Sequence, residues 1–360
     1  MALSVTFLTI AVPLHMELNG ITLLWAVEGP LLLYLGYRYD YRPIRTGAFA
    51  ILLLTQMRIF LRHWPLHEAA FTLLLNRRFA IAMSAVLSAA AIAVIHKAWT
   101  HRRTKPDKML MITSAIGAGY IALVTMHAEL GKWLESDVLM SRGVVSVLWL
   151  MGTVAFLGVG VAVKSEIVRK AGIPALATGA LLAARLYATA MEEPSMLYLN
   201  LRFIVGIAAV LTVFAYAMTL YRRKDICTAR EQSLSKFLLC AGGAALLVLL
   251  SVETYTFFSR EVTGARKARW VARMSLSIVW VVYAIGALLL GFWKRLRPLR
   301  LAALGLFGLT VGKLILMDIT GIREIYRILS FFITGTLLIA AAYLYSKFEK
   351  RIEDLLGEKE

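Results

Sequence analysis

Trp25-Ala-Val-Glu-Gly-Pro-Leu-Leu-Leu-Tyr-Leu-Gly36, followed by a basic turn that ends at Arg45, is the stretch from which the rest of the chain can be read. The same three residues return as Trp149, Gly160 and Arg169, and again as Trp280, Gly291 and Arg300, each time in apolar surroundings. The first and second copies keep an offset of 124 further, through Asn76/Asn200, Arg78/Arg202, Phe79/Phe203, Gly119/Gly243 and Glu129/Glu253. The third stands 255 after the first, where Arg42-Pro-Ile-Arg45 meets Arg297-Pro-Leu-Arg300 and Arg58 meets Lys313. Matches of Leu and Ala mean little in so apolar a chain. Trp, Asn, Arg and Glu at one fixed offset indicate an internal repeat.

A mean hydropathy of +0.71 with 59% hydrophobic residues lies outside the soluble range. Apolar runs of about 17–25 residues recur, the length a helix needs to cross roughly 30 Å of hydrocarbon. Strands of a membrane barrel alternate over only about ten residues. The expected fold is therefore all-α, a polytopic transmembrane helix bundle of about twelve helices. The segments fall near residues 2–16, 20–36, 44–62, 79–97, 108–129, 143–163, 168–189, 201–221, 236–257, 272–292, 298–317 and 325–346. The first lacks the basic leader and small-residue cleavage site of a signal peptide.

Four helices per copy make successive copies cross the membrane in the same sense, as tandem parallel repeats. The organisation read from this is 1–19, the last helix of an earlier copy; 20–142 and 143–271, two four-helix copies; 272–346, a partial third; and 347–360, a charged cytoplasmic tail. A chain that opens in mid-repeat reads as the C-terminal portion of a longer array. The third helix of each copy starts at Asn76-Arg-Arg-Phe79 or Asn200-Leu-Arg-Phe203, where Asn suits a helix N-cap.

The net charge of +18 points first to nucleic acid, but its distribution points to a membrane. With residues at segment ends counted to the adjoining connection, the even-numbered connections and the tail hold 24 of the 40 Lys and Arg, the odd-numbered connections 13, and Arg58, Arg185 and Lys313 lie within segments. Basic runs such as Tyr37–Arg45, His101–Lys108, Tyr221–Lys224 and Lys294–Arg300 mark the cytoplasmic face of a bacterial inner membrane, with both termini inside. Membrane lipids, and other envelope proteins, are the expected partners; nucleic acid is not. The connection from Arg260 to Arg273 dissents, with five basic residues on the opposite side. Cys227 and Cys240 fit reduced thiols.

A charge at the centre of a membrane helix costs about 2.5–3.5 kcal/mol, so Glu28, Arg58, Arg185, Lys313 and Asp318 are ligand or ion-pair candidates, and the first four should face protein or water. Arg58 and Lys313 share a repeat position, which favours a shared structural partner. At the outer face, Arg78, Arg202 and Arg327 start helices while Glu129 and Glu253 lie near helix ends. The arginines could line an anion or lipid-headgroup site, or each could pair with its own copy's glutamate. His63, His67 and Glu68, with His15 and His127 near that surface, are too few and too interrupted by Pro65 for a metal site. Gly158-Val-Gly160 through Lys164-Ser165 has the wrong spacing for a phosphate loop, and Gly308-Leu-Thr-Val-Gly312 fits helix packing. No cofactor, metal or catalytic set is expected.

Lys313-Leu-Ile-Leu-Met-Asp318, Arg327-Ile-Leu-Ser330-Phe331, Gly335 and Tyr343-Leu-Tyr345 resemble the C-terminal signature of a bacterial membrane-protein family catalogued as domain of unknown function 2339. Ala11-Val-Pro-Leu14, with Trp25-Ala-Val-Glu28 and Gly36, resembles an upstream block of the same family. The resemblance implies a membrane protein whose relatives are longer, with a soluble or coiled-coil leader and more helices. It carries no established activity. The function expected is a transporter or permeation protein for a small anionic or amphipathic solute. The alternatives are a non-enzymatic scaffold for envelope assembly, and a membrane enzyme acting on lipid-linked substrates at the outer leaflet, whose acid or base would come from Glu129, Glu253, His63, His67 or Asp318.

Overall fold

Helix is the only regular structure among the residues that the computed structural model describes, which are 18–62, 71–99, 101–102, 104–189, 196–261 and 265–313 together with 332, 335, 336, 339 and 343. In chain order the helices are α1 Leu18–Arg38, α2 Arg42–Arg62, α3 Arg77–Ala98, α4 Lys105–Trp133, α5 Val138–Ala162, α6 Glu166–Thr189, α7 Leu201–Arg222, α8 Ala229–Glu261, α9 Ala265–Trp293 and α10 Arg297–Lys313. Nine of these ten are long and apolar enough to cross a membrane; α10, at 17 residues, is the exception. Each expected segment from 20–36 to 298–317 has its helix. The expected segments at 2–16 and 325–346, and the tail, lie outside the described residues apart from the isolated positions above.

Several helices run past their apolar stretch, and the cause is capping. α4 starts at Lys105, not near 108, because Thr104 and Asp107 form a capping box: Thr104 N–H donates to Asp107 Oδ2 at 2.9 Å and Asp107 N–H to Thr104 Oγ1 at 3.4 Å. Pro106 sits in that first turn, where its missing N–H costs nothing. α8 gains almost two turns over the expected start in the same way, through Thr228 and Glu231. The basic connection is shorter than expected: Arg260 lies in the last turn of α8, while Lys267, Arg269 and Arg273 ride on the first turns of α9.

One turn is built three times. The pairs α1–α2, α5–α6 and α9–α10 are each joined by three residues, and the middle one is left-handed: Asp40 at φ 49°, Lys164 at 53°, Arg295 at 54°. The next residue reaches back to the glycine of the preceding helix, Tyr41 N–H to Gly36 O at 3.0 Å, Ser165 to Gly160 at 2.9 Å and Leu296 to Gly291 at 2.8 Å. This is the Schellman arrangement, which closes the carbonyls that a helix end leaves open. The glycines are needed for space. A Cβ at Gly36, Gly160 or Gly291 would stand 2.6, 2.5 or 2.8 Å from Cγ of Arg45, Arg169 or Arg300, whose side chain crosses the helix there.

The chain forms two compact units, Met1–Ala190 with Leu211–Leu238, and Met191–Val210 with Leu239–Glu360. In the first, α1 packs on α2 and α3, these pack on α4, and α4 leads through α5 to α6. Its core includes Leu33, Phe49, Leu52 and Ile92, with a second cluster around Trp149, Phe156 and Val168. In the second unit α9 and α10 close over Val281, Leu288, Ala303 and Phe307. Large apolar side chains such as Val27, Leu54, Leu87 and Leu181 point outward, as hydrocarbon-facing positions do.

Candidate functional site

Buried charge is concentrated at helix ends. Asn76 caps α3, its Oδ1 accepting Phe79 N–H at 2.8 Å. Its amide also donates to Glu129 Oε2 at 2.6 Å; Leu74 N–H reaches the same oxygen at 3.2 Å, and Arg78 Nη2 reaches Oε1 at 2.9 Å. Glu129, near the end of α4, is fully buried. The arrangement recurs 124 residues on. Asn200 caps Phe203 N–H at 2.9 Å and donates to Glu253, while Arg202 Nε lies 3.2 Å from Glu253 Oε2. Even the strained residue before the cap is shared, Leu74 at φ 62° and Tyr198 at φ 60°. Arg78 and Arg202 therefore each pair with their own copy's glutamate, and Arg202 is only 3% exposed.

A second set of pairs, which the sequence reading did not assemble, closes the opposite, basic end. Arg169 grips Glu231 through Nε and Nη2, both at 2.8 Å, and also reaches Ile226 O at 2.9 Å. Arg45, its counterpart, donates to Arg102 O at 3.0 Å, with Asp40 at 3.3 Å and Asp107 at 3.8 Å. Asp107 and Glu231 are the capping-box acids of their helices, so each accepts one backbone N–H, from Thr104 or Thr228, and faces one guanidinium at once. The signal was present as Thr104-x-x-Asp107 and Thr228-x-x-Glu231 at the same offset of 124. Cys227, just outside the membrane-spanning helices, sits in this cluster; burial, with the Glu231 carboxylate nearby, pushes its thiol above the ordinary value.

The middle of the first four helices is different. Glu28, ten residues from either end of α1, is 8% exposed and is followed by Gly29-Pro30. Pro30 has no N–H, so the Ala26 carbonyl loses its helical donor at the same level. Gly29 brings α1 close to its neighbours: a Cβ there would lie 3.6 Å from Ala48 O of α2 and 3.8 Å from Ser88 Oγ of α3. Arg58 stands over the Trp25 ring at 5.8 Å. Thr22 Oγ1, Trp25 Nε1, Ser88 Oγ and Ser114 Oγ are buried with no hydrogen-bond partner among the described residues. Gln56, 4% exposed, donates to Ser114 O at 2.8 Å. Nearer the basic end Tyr37 Oη and His96 Nδ1 meet at 2.8 Å, both buried. At the matching positions of the second copy stand Gly152 for Glu28, Ala180 for Gln56, Leu238 for Ser114, Val161 for Tyr37 and Leu220 for His96.

The remaining candidates are placed as follows. Lys313 Nζ donates to Arg273 O at 2.8 Å and Ser277 Oγ at 2.6 Å, and lies 6.0 Å from the Trp280 ring. The partner that Arg58 and Lys313 share is thus the tryptophan of their own copy. Arg185 is exposed on α6. It lies within about a turn of the helix end at Thr189, from which a long side chain can reach the interface. His127 accepts Trp149 Nε1 at 3.0 Å, and Ser251, at the equivalent position, accepts Trp280 Nε1 at 2.9 Å. Asp318, Arg327, His15, His63, His67 and Glu68 lie outside the described residues, among which no group of three metal-ligating side chains occurs.

The chain belongs to the family described as Predicted membrane protein (DUF2339), whose model matches residues 1–348. No curated protein and no solved structure matches it. It is a membrane protein with multiple apolar helices, and its family assigns no activity to the residues above.

Proposed function

We propose that the protein is a transport or permeation protein of the bacterial cytoplasmic membrane, whose solute site is the polar interior of α1–α4 around Glu28. The observation that carries this reading is the set Thr22, Glu28, Gln56, Ser88 and Ser114, every member at most 8% exposed; in the second copy Glu28, Gln56 and Ser114 give way to Gly152, Ala180 and Leu238, while Thr22 and Ser88 keep a hydroxyl as Ser146 and Thr212. A buried carboxylate beside a proline-interrupted helix is costly in hydrocarbon and is found where membrane proteins handle polar solutes. The arginine–glutamate pairs are the frame. Because Arg78 and Arg202 are neutralised from within, a small polar or cationic solute at Glu28 fits better than an anion at the outer face.

The same reading takes the chain as tandem parallel four-helix copies, about twelve membrane helices, with the basic turns and both termini cytoplasmic. The threefold turn and the twofold end pairs support it, since one inherited quartet would carry both. The test is flux in proteoliposomes, by stopped-flow light scattering with Na⁺, K⁺, guanidinium and glycerol gradients. Wild-type vesicles should pass at least one of these, and Glu28→Gln should slow that flux about tenfold or more without lowering Tm, the effect of losing one charge-assisted contact. Vesicles no leakier than empty ones, or a Glu28→Gln variant with wild-type flux, would overturn the reading.

A further inference from the structure

Gly29 leaves a gap in the middle of α1 that the other two copies fill. A Cβ there would meet nothing closer than Ala48 O of α2 at 3.6 Å, Ser88 Oγ of α3 at 3.8 Å and Ile92 Cδ1 at 3.8 Å, so this buried seam has room for one methyl-sized body. The equivalent residues, Thr153 and Ala284, are fully buried and carry the side chain that Gly29 lacks. Two of the three surrounding atoms are oxygens. Ser88 Oγ is buried with no hydrogen-bond partner among the described residues, although a buried hydroxyl ordinarily has one. Pro30 adds another oxygen at this level by leaving the Ala26 carbonyl without its helical donor. Among the described residues, Glu28 is the only carboxylate in α1–α4 that stands away from a helix end. The run Glu28-Gly29-Pro30 occurs once; its counterparts are Gly152-Thr-Val154 and Tyr283-Ala-Ile285.

We infer that the gap at Gly29 is a binding site for an alkali cation, held by Ser88 Oγ, the Ala26 and Ala48 carbonyls and the charge of Glu28. The inference rests on the reading of α1–α4 as the solute site and names the class of ion that site takes. Every acceptor there is oxygen, the ligand type of hard cations, whereas softer metals are held through thiolate or imidazole. One carboxylate balances one charge, while Ca²⁺ sites gather several. A carbonyl oxygen has two lone pairs, so Ala48 can serve its own helix and the ion together. The ion also gives the Ser88 oxygen the partner that the described residues do not. Guanidinium and choline are larger than a methyl group and are excluded.

The test is the melting temperature of the purified full chain in detergent, with choline chloride exchanged for NaCl or KCl at constant ionic strength. A ligand that binds only the folded state raises Tm as its concentration grows. Tm should rise with NaCl, with KCl or with both, and Gly29→Ala, the residue type of the third copy, should abolish the rise. The added methyl makes only ordinary contacts, so in choline this variant should melt no lower than wild type, as alanine for glycine within a helix does. Ser88→Ala should raise the half-saturating salt concentration about tenfold or more, and gives the answer should Gly29→Ala not fold. A wild-type Tm no higher in NaCl or KCl than in choline chloride overturns the inference, as does a rise that survives Gly29→Ala. A salt-dependent Tm without flux in vesicles sinks the transport reading and leaves the ion site standing; flux without a salt-dependent Tm does the reverse.

Discussion

Residues 20–133 and 144–257 are tied at their ends by the same kinds of charge pair, at positions 124 apart: Arg78–Glu129 and Arg202–Glu253, Arg45–Asp107 and Arg169–Glu231. Between those ends they diverge. The first stretch carries Glu28, Gln56, Ser114, Tyr37 and His96 inside; the second carries Gly152, Ala180, Leu238, Val161 and Leu220 at the same positions. What recurs must serve something every copy needs, and a helix bundle in lipid needs its helix starts tied and its buried charges neutralised. What occurs once is free to serve a task. The contrast separates frame from site without appeal to any relative.

The frame can be broken most severely at Arg169. Removing one partner of a buried, bidentate pair leaves a buried charge, a loss of about 3–5 kcal/mol. Arg169→Met should therefore abolish or sharply lower the yield of folded protein in detergent, measured by gel filtration and Tm. Arg45→Met should cost less, since Asp107 stands off at 3.8 Å and exposed Asp40 shares the charge. Equal losses would mean that the two ends are not held in the graded way their distances suggest.

The turn gives the next effect. Gly160→Ala forces a Cβ to 2.5 Å from Arg169 Cγ and 2.6 Å from its backbone nitrogen, and should cost about 1–3 kcal/mol as overpacking. Gly158, two residues earlier, has nothing within 4 Å of a Cβ, so Gly158→Ala should raise stability by about 0.5–1 kcal/mol. The pair of melting curves checks both signs. In the first interior the expected change is smaller. Converting Tyr37 and His96 together to Phe and Leu, the residue types found in the third and second copies, removes both partners of one hydrogen bond and should move stability by less than about 1 kcal/mol. His96→Leu alone strands the tyrosine hydroxyl and should cost about 1–3 kcal/mol. A double variant as damaged as the single one would tie this pair to the frame.

Much of this was legible from residues alone. Apolar run length gave ten helices their places, because crossing hydrocarbon is a one-dimensional demand that a sequence states openly. The Asn caps at 76 and 200 and the shared Arg–Glu spacing were readable for the same reason, being local or strictly periodic. The basic-end pairs were less visible. Asp107 and Glu231 lie 62 residues from their arginines, and their capping boxes look like ordinary helix starts until the fold brings the guanidinium over them. The interior of the first copy was harder still. Glu28 stood out as a lone charge, but Ser88, Gln56 and Ser114 are unremarkable letters on three other helices, and only packing around Gly29 and Gly117 gathers them.

The most direct measurement sets Glu28→Gln beside Glu253→Gln, reading Tm and proteoliposome flux on both. Glu28→Gln should keep Tm within about 1 kcal/mol of wild-type stability and lose flux, while Glu253→Gln should lose the fold, since it strands buried Arg202. A Glu28→Gln protein that unfolds, or a Glu253→Gln protein that stays folded with its flux gone, would reverse the assignment of site and frame.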